Sequence, residues 1–526
     1  MADQNPEKSA VYEDSNHAQQ PISELSLPKK PKRNMYAIGC TILASMTSIL
    51  LGYDTGVMSG ATIYIQEELK ISDVQIEILV GTINLYALFG AAVAGRTSDW
   101  IGRRYTIIFA AAIFFAGALL MGFANGYALL MVGRFVAGIG VGYAMMIAPV
   151  YSAEVSPTSS RGSLTSFPEV FINAGVLLGY VSNVVFSKLP TNLGWRFMLG
   201  FGAIPPIFLA LGVLVMPESP RWLVMQGRLG DARKVLNKTS DSLEDAQMRL
   251  VDIKEAAGLP LDCNDDVVSV PKRSRGQDVW KELFLHPSPT VLHILLVGIG
   301  IHFFQQASGI DAVVLYSPRI FEKVGIKNVT DKLLVTIAVG FSKTIFTLVT
   351  TFLVDKVGRR VLLLTSSGGL VISLMSLSIG LTVIDHSHDV KVTWAIALCI
   401  LTTMTSVAFF SMGMGPIVWV YCSEIFPLRL RAQGCGLGVA MNRLMSGVVL
   451  MSFISLYKHI TIGGAFFLYT AIALTGWIFF YTLLPETQGR TLEDVEELFG
   501  TFFRWRSTSN EIKKKKIEGS SVGLQP

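Results

Sequence analysis

Apolar runs long enough to cross a bilayer recur along the chain from residue 35 onward, each closed by a short polar break. A hydrocarbon core about 30 Å thick takes roughly 20 apolar residues of helix. Runs of that size fall near residues 36–58, 77–98, 104–124, 127–152, 164–188 and 196–216, and again near 291–316, 332–354, 361–384, 392–421, 431–457 and 462–484. The polar stretch between the two groups, 217–290, reads as a linker with short helices. The pattern predicts an all-α membrane protein with twelve transmembrane helices, and an even count returns both termini to one side.

Charge decides which side. Arg103 with Arg104, Arg161, the linker, Lys356 with Arg359 and Arg360, Arg429 with Arg431, and Lys513 to Lys516 all fall at one end of the bundle, which the positive-inside rule makes cytosolic. Arg319, Lys323, Lys327 and Lys332 run against the rule at the other end. The first 28 residues are polar and acidic, and Lys29, Lys30, Lys32 and Arg33 follow, so the first run should insert uncleaved with the N-terminus in the cytosol. The expected organisation is a cytosolic tail 1–34, a six-helix bundle 35–216, a cytosolic linker 217–290, a second six-helix bundle 291–484 and a cytosolic segment 485–526. In that last segment Thr491-Leu492-Glu493-Asp494 reads as a capping box opening a short helix. Lys513 to Lys516 could touch anionic lipid, a solvated tail being the plainer reading.

Composition agrees. Only 16% of the 526 residues are charged and 48 are glycine, as a lipid environment favours. A net charge of +5 spread along the chain excludes the concentrated basic face of a nucleic-acid binder. The five cysteines have neither metal-ligand nor disulfide spacing, and His293 and His302 read as packed helix residues. Asn328-Val329-Thr330 is a glycosylation triplet of a kind that also arises by chance.

The two groups of spans repeat each other. Asp99-Trp100-Ile101-Gly102-Arg103-Arg104 is answered by Asp355-Lys356-Val357-Gly358-Arg359-Arg360. Glu154 precedes Arg161 by seven residues as Glu424 precedes Arg431, and Pro217-Glu218-Ser219 is matched by Pro485-Glu486-Thr487. Offsets of about 256, 270 and 268 in order indicate one six-helix unit used twice in parallel, a transporter architecture with its solute site near the midplane between the halves. Asp99 with Arg103, and Glu154 with Arg161, put opposite charges at cytosolic helix ends, where charge-assisted bonds could hold one half together and break as the halves rock. Simple anchoring is the alternative.

No phosphate-binding loop of the GxxxxGK[ST] type occurs, so transport must be facilitated or coupled to an ion gradient. No nucleophile-and-base cluster suggests an enzyme. Ionisable residues within spans are expensive and point to function. Asp54, Arg134, Glu169, Asp311 and Lys343 are singled out on that ground. Asp54 and Arg134 should lie at similar depth, roughly 6–10 Å below the outer surface by helix rise. A carboxylate beside a guanidinium stays ionised until a conformational change parts them, which outlines a proton carrier; a static buried pair is the alternative.

Taken in order, Gly52-Tyr53-Asp54-Thr55-Gly56-Val57, the Gly-Arg-Arg turns, Gly133-Arg134-Phe135, Pro217-Glu218-Ser219-Pro220-Arg221-Trp222-Leu223, Gln305-Gln306-Ala307-Ser308-Gly309 and Pro485-Glu486-Thr487 resemble the sugar porter family of the major facilitator superfamily, over about residues 35 to 500. The resemblance implies the major facilitator fold, with a substrate site lined by Gln305, Gln306 and Trp419. Amide groups match adjacent hydroxyls there, and an aromatic face matches a carbon skeleton. Proton-coupled members carry an acid and an arginine where this chain has Asp54 and Arg134, which favours symport. Glu169, Asp311 and Lys343 stand where a glutamine and two asparagines are usual, and Ser446 replaces a further asparagine, with Asn442 nearby. These departures resemble the plant polyol and monosaccharide transporters within the family. Two carboxylates and one ammonium facing one cavity can offset one another, so Lys343 is expected to pair with Asp311 or Glu169, and the ionic groups to bond the hydroxyls of an open-chain polyol.

The expected function is therefore proton symport of a polyol of the sorbitol, mannitol or xylitol type, and of monosaccharides, at the plasma membrane. The expected partners are the solute, the proton as coupling ion and membrane lipid, with no cofactor, metal, nucleic acid or obligate protein partner. A facilitative uniporter is the near rival. A non-transporting sugar sensor is the more distant one.

Overall fold

The computed structural model describes residues 34–157, 164–260, 287–387, 392–427 and 430–488, with 263, 265–268, 283, 498 and 499. Arg161, Arg429, the segment Thr491 to Asp494, the run Lys513 to Lys516 and the basic residues before Asn34 lie outside the described residues, as do the side chains of Asp355 and Arg431.

Among the described residues twelve helices are long and apolar enough to span a membrane: Met35–Leu69, Asp73–Ile101, Arg103–Gly122, Tyr127–Val155, Phe167–Phe186, Thr191–Val213, Pro289–Leu315, Val329–Val354, Arg359–His386, Thr393–Ile425, Gln433–Ile460 and Ile462–Leu483. They are the first to twelfth spans below. Polar side chains stop the apolar runs by taking up orphan backbone amides. Asn34 caps the first span, Ser72 and Gln75 form a capping box on the second, and Asn328 caps the eighth through the Thr330 amide. The end of the molecule bearing the Gly-Arg-Arg turns is called the linker end, and the opposite one the far end.

Three expected spans differ in form. The first continues to Leu69, well past the apolar run ending near 58, because its polar outer turns find partners. Glu68 accepts from Trp195 Nε1 and from Arg196 Nη1 at 2.9 Å, and Gln66 bonds Asp73 at 2.8 Å. The seventh and tenth spans are broken, at Gly309 (φ +79°) and Gly413, into Pro289–Ala307 plus Ile310–Leu315 and Thr393–Met412 plus Met414–Ile425. Such interrupted helices free backbone groups at mid-depth.

Lipid offers no hydrophobic drive between helices, so the spans associate by close backbone approach over small residues. The first and fifth spans cross this way. A Cβ on Gly52 would lie 1.9 Å from the Ile172 carbonyl oxygen, one on Gly56 2.2 Å from that of Val176, and one on Gly175 2.5 Å from that of Ile49. Tyr53 reinforces the crossing by donating to the Met198 carbonyl at 2.6 Å and bonding Ser182 Oγ at 2.9 Å.

Between the halves, the packed pairs are the first span with the far end of the seventh, the second with the eleventh, and the fifth with the eighth. The fourth and tenth spans, which approach the linker end, are not a packed pair among the described residues. The linker helices Pro220–Met225, Leu229–Thr239 and Leu243–Ala257 build a second small core from Leu223, Val224, Leu229, Leu236 and Leu250. Arg249 pins it to the fourth span by donating to the terminal carbonyls of Glu154 (3.1 Å) and Val155 (3.3 Å). Asn34 does the same for the first, through the carbonyls of Lys238 and Ser240, each at 2.8 Å.

The glycine crossing gives a direct test. Gly56→Leu should abolish the monodisperse peak of detergent-solubilised protein in size-exclusion chromatography, since overpacking by even a few methylenes costs about 1–3 kcal/mol. Gly436→Leu, where a Cβ meets nothing within 4 Å, should leave the peak unchanged.

Candidate functional site

Three layers of polar residues run through the bundle. At the linker end the duplication read from the sequence is reproduced atom by atom. Gly102 (φ +96°) and Gly358 (φ +101°) turn the chain between consecutive spans, and a Cβ at either would strike the Glu218 or Glu486 carboxylate. Glu218 accepts from the backbone amides of Arg103, Arg104 and Ser219, and Glu486 from those of Arg359, Arg360 and Thr487. Burial pushes the Glu218 carboxyl above the usual carboxylate range, against the pull of those amides. Arg103 reaches Glu154 through Nε at 3.0 Å and Nη2 at 3.2 Å, and Arg359 reaches Glu424 at 3.1 and 3.0 Å. Ser219 and Thr487 hydroxyls close each cluster on the same glutamates, at 2.5 and 2.7 Å. Each cluster thus lies within one half. The expected partner of Glu154, Arg161, lies outside the described residues; Arg103 holds Glu154, and exposed Asp99 adds a third contact to Arg103 at 3.1 Å. Arg104 donates to the Val213 carbonyl and Arg360 to that of Leu484. The Val213 carbonyl accepts from the Met216 amide as well, at 3.1 Å.

In the first half, Asp54 and Arg134 form the ion pair expected from their depths. Nη1 lies 2.6 and 2.7 Å from the two carboxylate oxygens, and the residues are 2% and 1% exposed. Arg134 is held independently by the second span, Nε on the Leu79 carbonyl at 2.9 Å and Nη2 on that of Val80 at 3.2 Å.

The third layer surrounds the helix breaks of the second half. Gln305 Nε2 donates to the Met414 (2.7 Å) and Gly415 (3.1 Å) carbonyls, bracing one broken span against the other. Its Oε1 accepts from Asn442, whose own oxygen accepts from Gln306 Nε2 at 3.3 Å and from Arg443 Nε at 3.0 Å. Asn442 is fully buried and spent on this network. Among the described residues Gln306 Oε1 is buried with no hydrogen-bond partner, as is Asn173 Oδ1 on the fifth span. Trp419 is half-buried, edge-on to His302 at 5.0 Å. Asp311 accepts from the Ser446 hydroxyl. Glu169 is half-buried, Oε1 only 3.6 Å from where a Gly415 Cβ would sit, so it crosses from the first half towards the broken tenth span.

Lys343 corrects one expectation. Its charge reaches Glu169, but among the described residues no ion pair within 4 Å joins it to Glu169 or Asp311. Asp311 is engaged by Ser446 instead, and Asn173, which bonds Thr347 Oγ1 at 2.7 Å, lies within hydrogen-bonding reach of Glu169.

The sequence reading also missed residues. Arg443 sits in an apolar run beside Asn442 and bonds Asn84 Oδ1 across the halves at 3.1 Å. Its charge inside a span was the available signal. The apolar run of the second span begins at Glu77, but the helix starts at Asp73 and buries Glu77 to 2% exposure. There it accepts from the Ser455 amide (2.8 Å) and hydroxyl (2.5 Å) of the opposite half. With Asp73, which pairs with Arg319 at 3.1 Å and with Lys458, it fastens the halves together at the far end. Arg319 and Lys332, two of the four cations against the charge rule, therefore have acidic partners, Lys332 in Glu322 at 3.1 Å.

The buried pair predicts a stability pattern. Removing one partner of a buried ion pair leaves an uncompensated charge and costs about 3–5 kcal/mol. Arg134→Gln should lower the melting temperature of purified protein more than the Asp54→Asn/Arg134→Gln double substitution does.

Comparison with known proteins identifies the family. Arabidopsis thaliana polyol transporter 5 is 64% identical over 494 residues, covering 94% of this chain and 91% of that protein. A D-xylose transporter of Levilactobacillus brevis is 35% identical over 453 residues, 86% and 93% of the two chains. Among solved structures, the proton:xylose symporter XylE bound to 6-bromo-6-deoxy-D-glucose superposes with a TM-score of 0.74 at 27% identity, over 89% of this chain and 100% of the other. The sequence pattern of the family described as Sugar (and other) transporter matches residues 40–499. This chain belongs to that family, the sugar porters of the major facilitator superfamily.

Proposed function

We propose that this protein is a proton-coupled symporter of polyols, and of monosaccharides as well, working by alternating access in the plasma membrane with both termini in the cytosol. The observation that carries the coupling is the Asp54–Arg134 pair: a buried carboxylate whose guanidinium partner is anchored separately on the second span. Protonation of Asp54 cancels the attraction while Arg134 keeps its carbonyl partners. The first span can then shift without stranding a cation. Polyol transporters at high identity and a proton:xylose symporter of like fold support the same reading.

The solute chamber lies between the halves at the level of the helix breaks. Gln306 Oε1 and Asn173 Oδ1 offer free acceptors, Trp419 an apolar face, and Glu169, Asp311 and Lys343 charged partners for hydroxyls. Gln305 and Asn442 shape that wall more than they bind. The far-end contacts of Asp73 and Glu77 close the chamber on that side. The Arg103–Glu154 and Arg359–Glu424 clusters act as the switch: each stiffens one half, and loosening them permits the halves to close at the linker end. Asp99, Arg104, Arg161, Asp355, Arg360 and Arg431 complete that set.

Two measurements test the reading. Asp54→Asn should abolish uphill, uncoupler-sensitive accumulation of labelled sorbitol in yeast lacking its own hexose carriers while retaining counterflow exchange; uphill uptake with ordinary acid dependence would refute the coupling scheme. Lys343→Met should cut polyol uptake at least about tenfold, the worth of one charge-assisted hydrogen bond, and unchanged uptake and selectivity would remove Lys343 from the site.

A further inference from the structure

Counting charge in the chamber exposes a discrepancy. Glu169 and Asp311 are two negative groups and Lys343 is one positive, so the set read from the sequence carries an excess negative charge in a low-dielectric interior, which is costly. The structure brings a fourth charge to the same place. Arg443, on the eleventh span and only 8% exposed, lies within electrostatic reach of both Asp311 and Glu169. Among the described residues the other charged and titratable groups facing this cluster are Lys343 from the eighth span, His302 from the seventh and Tyr180 from the fifth.

Arg443 is held in an unusual way. Its guanidinium is fixed by neutral amides, Nε and Nη2 on Asn442 Oδ1 and Nη1 on Asn84 Oδ1, and among the described residues no carboxylate lies within 4 Å of it. The positive charge is therefore positioned but not consumed in a contact pair. A guanidinium also cannot release its proton under physiological conditions, so this charge is permanent.

We propose that Arg443 is a specificity-determining residue of the solute chamber: with Lys343 it balances Glu169 and Asp311, keeping both carboxylates ionised as hydroxyl acceptors and the chamber free of a titrating proton of its own. This rests on the reading of that chamber as the solute site. Ionised carboxylates accept strongly from several hydroxyls at once, which suits a solute rich in donors. The coupling proton is then left to Asp54 alone, and solute affinity is independent of pH. A purely structural Arg443, tying the second span to the eleventh through Asn84, would have no such consequence.

The test is counterflow exchange of labelled sorbitol from acid to neutral pH, which requires no proton gradient. The wild type should show a KM flat with pH. Arg443→Gln keeps amide donors but removes the charge. Its KM should rise about tenfold or more on acidification, as a carboxylate no longer held ionised takes up a proton and is lost as a strong acceptor. Arg443→Lys should keep a flat profile, and so should the neutral double variant Arg443→Gln/Glu169→Gln. Asn84→Ala, which cuts the tie and spares the charge, should also stay flat. A flat, wild-type-like profile in Arg443→Gln overturns the inference. If Arg443→Gln does not fold, recovery of exchange-competent protein in Arg443→Gln/Asp311→Asn supports charge balance, and its failure while Asn84→Ala folds refutes it. Wild-type protein that exchanges neither polyol nor sugar overturns the solute reading and this inference with it, whereas wild-type exchange with a flat Arg443→Gln profile overturns this inference alone.

Discussion

A charge taken into a bundle of lipid-facing helices has no water to solvate it, so it must be answered by groups of the same protein. The clearest case is Asp54 with Arg134. The two residues are far apart in sequence and on different spans, yet two oxygens meet one guanidinium nitrogen and the remaining guanidinium bonds go to carbonyls of a third span. That junction ties the first, second and fourth spans at one depth. The same demand explains why Asp73 and Glu77 find donors on the opposite half.

Duplication provides the second organising constraint. Each half carries a turn glycine, two arginines, a helix-end glutamate and a second glutamate capping backbone amides, and each closes the cluster with a hydroxyl. Because these bonds stay within one half, they make each half a stiff body and leave relative motion to the surfaces between them. Those surfaces are held at the far end by ion pairs and hydrogen bonds and, among the described residues, lack a packed fourth–tenth pair at the linker end. The asymmetry is what one state of a rocking pair should look like.

Glycine supplies the third. Where the first and fifth spans cross, carbonyl oxygens approach nearer to the opposing Cα than any side chain would allow. The glycine content, first noticed as a mark of a lipid environment, is thus also the means by which helices without a hydrophobic drive are held together.

The chain by itself determined the number of spans, their duplication and the chemical kinds present, because apolar length, charge placement and repeat spacing are local properties of a sequence. It placed Asp54 against Arg134 correctly from depth alone. It could not see that among the described residues Lys343 makes no contact pair with Asp311 or Glu169, that Ser446 bonds Asp311, or that Gln305 braces two broken helices. It passed over Arg443 and set Glu77 at a helix edge. Each of these turns on the rotation of one helix against another, and periodicity says which residues share a face but not which face meets which partner. Only packing of the twelve helices decides that, through close approach at glycines and the pairing of buried charge.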